Sequence, residues 1–309
     1  MSRPCLRRPI GALLACLALP LAAWSQAVDV DAATAEPGPK PYAVFSGYEH
    51  LFETDINSRG QFSRDSFTVG IGGRVPFGGS FGFTPRFSYE LNSYDFTSGA
   101  TPFRWDNINQ YTLLGLLDWQ INESWSLSGG PMLRAAGEGS ASFHNGTSIG
   151  ALLGFNWLAN KDLSLGLSLG VLSQLEDDPA IVPIPNIRWR FGDVTLRTGI
   201  LPLGGRTGLG PDIAWSINEV VDLAVGAQYQ RRRFRLDDHG FNKKGIGEET
   251  SAPLYARIAF HPVPEATLEL FTGVAVAGDM RVEDKDGDSS FDRSYDAAPL
   301  LGLRGEYRF

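Results

Sequence analysis

The last eleven residues constrain this chain more than any other stretch. In Pro299-Leu-Leu-Gly-Leu-Arg-Gly-Glu-Tyr-Arg-Phe309, Pro299, Leu301, Leu303, Gly305, Tyr307 and Phe309 fall on one side, and Leu300, Gly302, Arg304, Glu306 and Arg308 on the other. Side chains alternate across a strand with period two, so the segment predicts a strand with one apolar and one charged face. It ends on an aromatic residue with no polar tail, where the end of a soluble domain usually frays into water. Such a strand needs an extended apolar surrounding.

The same alternation recurs along the chain. Phe81, Phe83, Phe87, Tyr89 and Leu91 alternate with Gly82, Thr84, Arg86, Ser88 and Glu90. Tyr111 to Ile121, Leu163 to Val171 and Ile187 to Phe191 repeat the pattern. Tight polar turns separate strand pairs at Gly78-Gly79, Asn122-Glu123, Asn160-Lys161-Asp162, Gly192-Asp193, Asn218-Glu219 and Pro262 to Glu265, where Gly and Asn tolerate positive φ. Strands are expected to begin near Tyr42, Phe67, Phe81, Asn109, Trp125, Ser148, Leu163, Ile184, Val194, Gly210, Asp222, Pro253, Thr267 and Ala298. That makes fourteen strands. Twelve is the fallback, because Tyr42 to Leu51 alternates poorly and the segment after Ile200 is rich in Gly and Pro. Alternation alone also suits a soluble sandwich or lipocalin-like barrel.

The beginning of the chain reads as a secretory signal. Arg3, Arg7 and Arg8 form a basic region, Ile10 to Ala23 an apolar core, and Ser25-Gln26-Ala27 a small-x-small cleavage site, which gives a signal peptide over 1–27. A competing reading takes Leu13-Leu14-Ala15-Cys16 as a lipobox, but the apolar core before Cys16 is short. Residues 28–41 are acidic and Pro-rich and predict a disordered periplasmic leader ahead of a barrel domain over 42–309. Both cysteines, Cys5 and Cys16, fall in the signal segment, so a processed chain has no disulfide framework and no thiolate metal site. Loss of the three N-terminal arginines leaves 24 basic against 35 acidic residues, a net −11, which speaks against nucleic acid as a partner. After Ala23 no stretch of about 18 apolar residues occurs, so no spanning helix is expected.

Trp119, Trp125, Trp157, Trp189 and Trp215 all lie within a few residues of a tight turn and all fall on the apolar face. A soluble core gives no reason to gather indoles at one end of its hairpins, whereas a membrane boundary does. With Phe309 they predict a membrane girdle on the periplasmic side. The signal segment, these tryptophans and the terminal Phe309 together resemble the bacterial outer-membrane β-barrels, and among them the uncharacterised porin-like families. The resemblance implies an all-β fold: a transmembrane antiparallel up-and-down barrel with short periplasmic turns and longer extracellular loops. It implies a place in the Gram-negative outer membrane, reached through the cleaved signal. It also implies contact with outer-membrane lipid and lipopolysaccharide, and recognition of the closing strand by the barrel-assembly machinery. The long N-terminal plug of the fatty-acid transporters has no counterpart here. Oligomeric state is not readable.

If the apolar face meets lipid, the other face lines the interior. There Arg74, Arg86, Arg134, Arg188, Arg190, Arg197, Arg257, Arg304 and Arg308 stand against Glu90, Asp118, Asp212, Glu269 and Glu306. Rings of charge set pore selectivity, so one expectation is a passive, narrow, mildly anion-preferring channel for small polar solutes. The alternative is an interior of arginines paired to carboxylates, in a non-conducting structural or partner-binding barrel. Arg231, Arg233 and Arg235 continue a lipid-facing row (Leu223, Val225, Ala227, Tyr229) beyond the apolar band, where guanidinium groups would grip lipopolysaccharide phosphates.

Asp284, Asp286, Asp288 and Asp292 take the first, third, fifth and ninth positions of a calcium loop of the EF-hand or dockerin kind. Ser289 stands where Gly belongs and Tyr295 where a bidentate Glu belongs, so the expectation is at most a weak calcium site; no other cofactor is expected. Asp237-Asp238-His239 superficially resembles the acid–His sites of outer-membrane proteases but lacks their second acidic pair. His50, His144 and His239 are assigned to outer loops and His261 to a periplasmic turn. A hydrolase is therefore the third reading, and no catalytic residue is assigned.

Overall fold

The computed structural model describes residues 40–309, apart from 58, 98–99, 101–102, 104, 205 and 240–241. The signal segment and the leader up to residue 39 lie outside the described residues. Fourteen antiparallel strands form one closed barrel. They are β1 (Tyr42–Asp55), β2 (Gln61–Gly73, continued by Val75–Pro76), β3 (Phe81–Phe96), β4 (Ile108–Gln120) and β5 (Trp125–Glu138). Next come β6 (Thr147–Asn160), β7 (Leu163–Gln174), β8 (Asp177–Phe191), β9 (Val194–Leu203) and β10 (Arg206–Ser216). The ring is completed by β11 (Val221–Ala227, then Gln230–Arg235), β12 (Ile246–Val263), β13 (Ala266–Glu283) and β14 (Ser289–Tyr295, then Ala298–Arg308). The terminal strand closes it, running antiparallel to β1 from Ala43 opposite Arg308 to Leu51 opposite Leu300. Closure leaves no free edge at the seam, as a wall in lipid requires.

β1 forms despite its poor alternation because it pairs along its length with both β2 and β14. Backbone pairing on two sides holds it, and side-chain alternation is secondary. On the outer side several strands begin earlier than their apolar pattern: β2 at Gln61, β8 at Asp177, β10 at Arg206, β12 at Ile246 and β14 at Ser289. The early portions are polar because they run past the band that lipid would touch. The outer connections are correspondingly uneven. β7 and β8 are joined through Leu175 and Glu176 alone, where long loops were expected throughout.

The outward rows are apolar and exposed, with Leu113 at 52%, Leu117 at 57%, Leu153 at 64% and Leu268 at 55%. An apolar surface of this extent is stable only against lipid. At the tight-turn end, Trp119, Trp125, Trp157, Trp189, Trp215 and Phe309 are all exposed on these rows. Trp125 stacks with Trp157 at 5.9 Å, Trp119 with Phe81 at 5.8 Å, and Tyr42 lies 5.9 Å from Phe309. Lys40 and Glu265 pair at 2.9 Å beside the β12–β13 turn, which raises the lysine's pKa and lowers the carboxylate's.

Candidate functional site: a filled lumen and a break in its wall

The lower lumen carries an ion-pair ladder. Arg197 and Arg257 both meet Asp212, at 2.5 and 3.1 Å; Arg257 also meets Glu269 at 2.7 Å. Arg304 bridges Glu269 at 3.4 Å and Glu306 at 2.5 Å, and Arg308 meets Glu306 at 3.0 Å. Across the barrel Arg74 lies 3.9 Å from Asp118, which accepts a hydrogen bond from Thr84 at 2.6 Å. Arg86 stacks over Phe45 at 4.6 Å. Arg188, Arg190 and Arg308 are exposed at the tight-turn mouth of the barrel. A small recess opens there, lined by Arg74, Asp118, Ser126, Ser128, Asn156 and Asn186 among others. The arginines expected to line a pore are on the inner face, but most of those above the mouth are paired.

Two inward movements of the chain close the axis above this recess. In the first, the β9–β10 hairpin leaves the wall. β9 pairs with β8 only from Val194–Phe191 to Thr198–Ile187. At Gly199, with φ of +129°, it turns into the lumen, and a Cβ there would stand 2.7 Å from the Asn186 amide oxygen. Its apolar Ile200 packs on an apolar inner patch from Leu114, Leu116, Met132, Leu152, Leu172, Val182 and Ile184. The tip crosses to the far wall, where Gly204 touches the Phe271 ring and the Tyr48 carbonyl. Arg206 anchors the tip there. It meets Glu90 at 3.0 Å and Glu49 at 3.4 Å, and hydrogen-bonds Ser66 and Asn92. Gly204 has φ of +60°, and its Cβ would lie 2.9 Å from Phe271. Replacing it with Val is expected to destabilise the barrel by about 1–3 kcal/mol, the usual cost of a strained backbone position, lowering the urea midpoint in proportion.

In the second movement, the outer half of β11 leans across the mouth. Beyond Tyr229, which still bridges Leu209, the strand leaves β10, and Gln230–Arg235 is buried on both faces. Its last residue forms a parallel bridge to Gly137 of β5, almost opposite in the ring. Arg231 and Arg233 meet Glu248 at 2.6 and 2.8 Å, and Arg233 meets Glu283 at 2.5 Å. Arg233 also donates to the Leu175 carbonyl at 2.7 Å. Arg235 reaches Glu176 at 2.7 Å and the Asn145 carbonyl at 2.9 Å. The expectation that Arg231, Arg233 and Arg235 form an outward, lipopolysaccharide-facing row is therefore corrected. These residues continue the positions of the outward row, but the strand carrying them has left the wall. They form a clasp over the mouth.

Between the two movements the lumen is solid. Arg64 meets Glu49 at 2.8 Å and pairs with Glu249; Arg232 meets Glu249 at 3.1 Å and Glu90 at 3.9 Å. Tyr94 and Tyr295 donate to Glu249 at 2.6 and 3.1 Å. Above them Phe62, Phe103, Trp105 and Phe234 are fully or almost fully buried. Trp105 stands edge-on to Tyr94, Phe103 and Phe234 at 5.3–6.0 Å.

Withdrawal of β9 leaves a mark on the wall. β8 keeps its pairing with β7 up to Ala180 opposite Leu172, yet has no paired strand on its β9 side above Ile187 among the described residues. An unpaired edge inside a bilayer leaves donors unsatisfied, at several kcal/mol each. Here the donors are partly missing. The Ile187 N–H points to Thr198 Oγ1 (3.0 Å), which also donates to the Pro185 carbonyl (3.0 Å), so odd-numbered residues turn their backbone toward the β9 side. Two of the next odd positions are Pro185 and Pro183, which have no N–H to lose. Leu209 and Tyr229, joined by an isolated backbone bridge, form the facing side of the break. Behind it lies the apolar patch around Ile200. The inward hairpin and the break went unseen in the sequence; the prolines at 183 and 185 and the glycines at 199, 204, 208 and 210 were their only signal.

The remaining candidates do not assemble. Asp284 accepts the backbone N–H groups of Asp286 and Asp288, Asp286 pairs with Lys285 at 2.6 Å, and Asp292 pairs with Arg281 at 3.1 Å. Among the described residues no group of three or more His, Cys, Asp or Glu side chains stands together as a metal site, so the four aspartates do not converge as a calcium loop would need. His239 lies 3.2 Å from Asp237 and is 86% exposed. Hydrogen bonds from Ser140 and from the His239 N–H hold the Asp237 carboxyl below the usual carboxylate range. The nearby Glu138 accepts the backbone N–H groups of Asp106 and Asp237. His50 lies on β1 and His261 on β12, not in loops, because both strands extend further than their apolar pattern.

No family model matches the chain, and no curated protein does. Solved structures do. A Pseudomonas aeruginosa FadL homologue superposes with a TM-score of 0.52 at 13% identity, over 95% of this chain and 98% of the other. The NanC porin matches with a TM-score of 0.35 at 13% identity, over 87% of this chain and all of the other. The translocator domain of the autotransporter NalP from Neisseria meningitidis matches with a TM-score of 0.38 at 11% identity, over 91% and 92% of the two chains. The fold is that of the outer-membrane β-barrels. At these identities the likeness concerns architecture alone.

Proposed function

We propose that the protein is an outer-membrane channel for small apolar molecules, whose path runs through the break in the wall between β8 and β10. The observation that carries this reading is the unpaired edge of β8, with Pro183 and Pro185 where donors would be stranded in lipid, opening onto the apolar patch around Ile200. A wide axial pore for polar solutes fits less well, since ion pairs and aromatic side chains fill the upper lumen. An axial, anion-preferring path past Arg188 and Arg190 would require the β9–β10 hairpin to withdraw. No enzymatic role is assigned.

Both cysteines precede residue 28, so a single cysteine can be labelled cleanly in the processed chain. Leu209, which packs against the apolar patch, is the informative position. A nitroxide on Leu209→Cys in lipid vesicles is expected to collide with bilayer-dissolved oxygen nearly as often as one on Ile181→Cys, which faces outward at 61% exposure. Both should be shielded from a water-soluble nickel chelate. A Leu209 label shielded from both reagents would mean a sealed wall, and would favour a non-conducting barrel, to which the extensive ion pairing of the lumen also lends itself.

A further inference from the structure

We propose that the break in the wall favours apolar molecules that carry a hydroxyl group, alcohols and phenols, over those that carry only acceptors, such as ethers and ketones. This selectivity deepens the channel reading above and rests on it. The selecting surface is the open edge of β8.

Odd-numbered residues of β8 turn their backbone N–H and C=O groups toward the break, and even-numbered ones toward β7. Above Ile187 the odd positions are Pro185, Pro183, Ile181 and Pro179. Proline has a carbonyl and no N–H, so four acceptors accompany a single donor, from Ile181. Successive carbonyls on one side of a strand stand about 7 Å apart, and a row of four spans about 20 Å. Among the described residues no donor reaches the Ile181 and Pro183 carbonyls. On the facing side Leu209 and Tyr229 direct their N–H groups at each other's carbonyls, at 3.2 and 2.8 Å.

The lower end of the row holds a hydroxyl already. Thr198 Oγ1 donates to the Pro185 carbonyl at 3.0 Å, at the last paired position before β9 turns away at Gly199. Beyond it the row continues without Thr198 or a strand to replace it. A bare carbonyl in hydrocarbon lacks the hydrogen bond that water would give it. A hydroxyl dissolved in hydrocarbon lacks its acceptor, so pairing relieves both groups. An ether or ketone brings one more acceptor and relieves neither carbonyl. A hydroxyl can pass from one carbonyl to the next while its apolar body stays among Ile181 on the outside of the wall and Ile200 on the inside.

The test is photolabelling of the folded protein in lipid vesicles with a decanol carrying a mid-chain diazirine, followed by mass spectrometry of the labelled peptides. Saturable labelling of the peptides that contain Pro183 and Leu209 is expected. At equal bilayer concentration 1-decanol should displace the probe about fivefold better than decyl methyl ether, the effect of one ordinary hydrogen bond. Thr198→Val frees the Pro185 carbonyl and is expected to raise that preference. Pro183→Ala restores an N–H to the edge and is expected to lower it. Heat-modifiable migration shows which variants fold. Saturable labelling displaced equally by decanol and ether would overturn the hydroxyl preference and leave the path through the wall standing. A preference unchanged in whichever of the variants folds would do the same. No saturable labelling of either peptide would overturn both the preference and the path.

Discussion

Replacing Arg206 with Met is expected to turn a barrel with few sustained openings in a planar bilayer into one that conducts in discrete steps. Arg206 is the charged anchor of the hairpin tip, 3% exposed and in contact with Glu90, Glu49, Ser66 and Asn92 on three strands of the far wall. Removing one partner from a buried ion pair costs about 3–5 kcal/mol, because the charge left behind is uncompensated. Here Glu49 keeps Arg64 at 2.8 Å, so the cost falls mainly on Glu90, which has Arg232 at 3.9 Å, and the inward position loses its electrostatic hold. The contacts of Ile200 and Leu203 survive, which keeps the hairpin attached near its base. Openings of the variant should be cation-preferring, since Glu49 and Glu90 would then face the passage unpaired by Arg206. A variant that migrates as a folded barrel yet stays silent would show that the hairpin is not what closes the axis. A wild-type protein that conducts freely would show that the axis is not closed at all.

Replacing Glu249 with Gln is expected to be the most destabilising single change in the lumen. Its side chain is wholly buried, receives hydrogen bonds from Tyr94 and Tyr295, and pairs with Arg64 and Arg232. Gln preserves the shape but removes the charge, leaving two buried guanidinium groups short of a counter-charge. A loss of roughly 3–5 kcal/mol follows from the cost of breaking a buried pair, read as a lower urea midpoint at an unchanged slope. Glu248→Gln should cost less. That carboxylate is 9% exposed, whereas Glu249 is wholly buried and also accepts the Tyr94 and Tyr295 hydroxyls. Equal losses in the two variants would mean that Glu249 is no hub and that the network is bound diffusely.

The two halves of the chain were not equally legible. From β3 to β7 the expected strands, turns and outward tryptophans lie where the alternation put them, because one face of each strand meets lipid and one does not. From Gly199 to Arg235 the pattern is broken by Gly, Pro and a run of arginines, and position in a row no longer tells which way a residue faces. Arg231, Arg233 and Arg235 occupy the positions of an outward row, and are buried because their strand has left the wall. Leu201 and Leu203 look like wall residues and are buried in the lumen. Period-two patterning reports which side of a strand is apolar. It does not report what lies on that side.

The sequence by itself determined the alternating strands, most of the tight turns that join them, which residues face outward over much of the wall, and that the inner face is rich in arginine. Those properties follow from local alternation and turn chemistry, which each segment carries within itself. Only the tertiary structure decided that the axis is filled and that, among the described residues, β8 has no paired strand on its β9 side above Ile187. These depend on contacts between strands far apart in the chain, such as Arg206 with Glu49 and Arg235 with Glu176, and no local pattern records which distant charge a buried arginine meets.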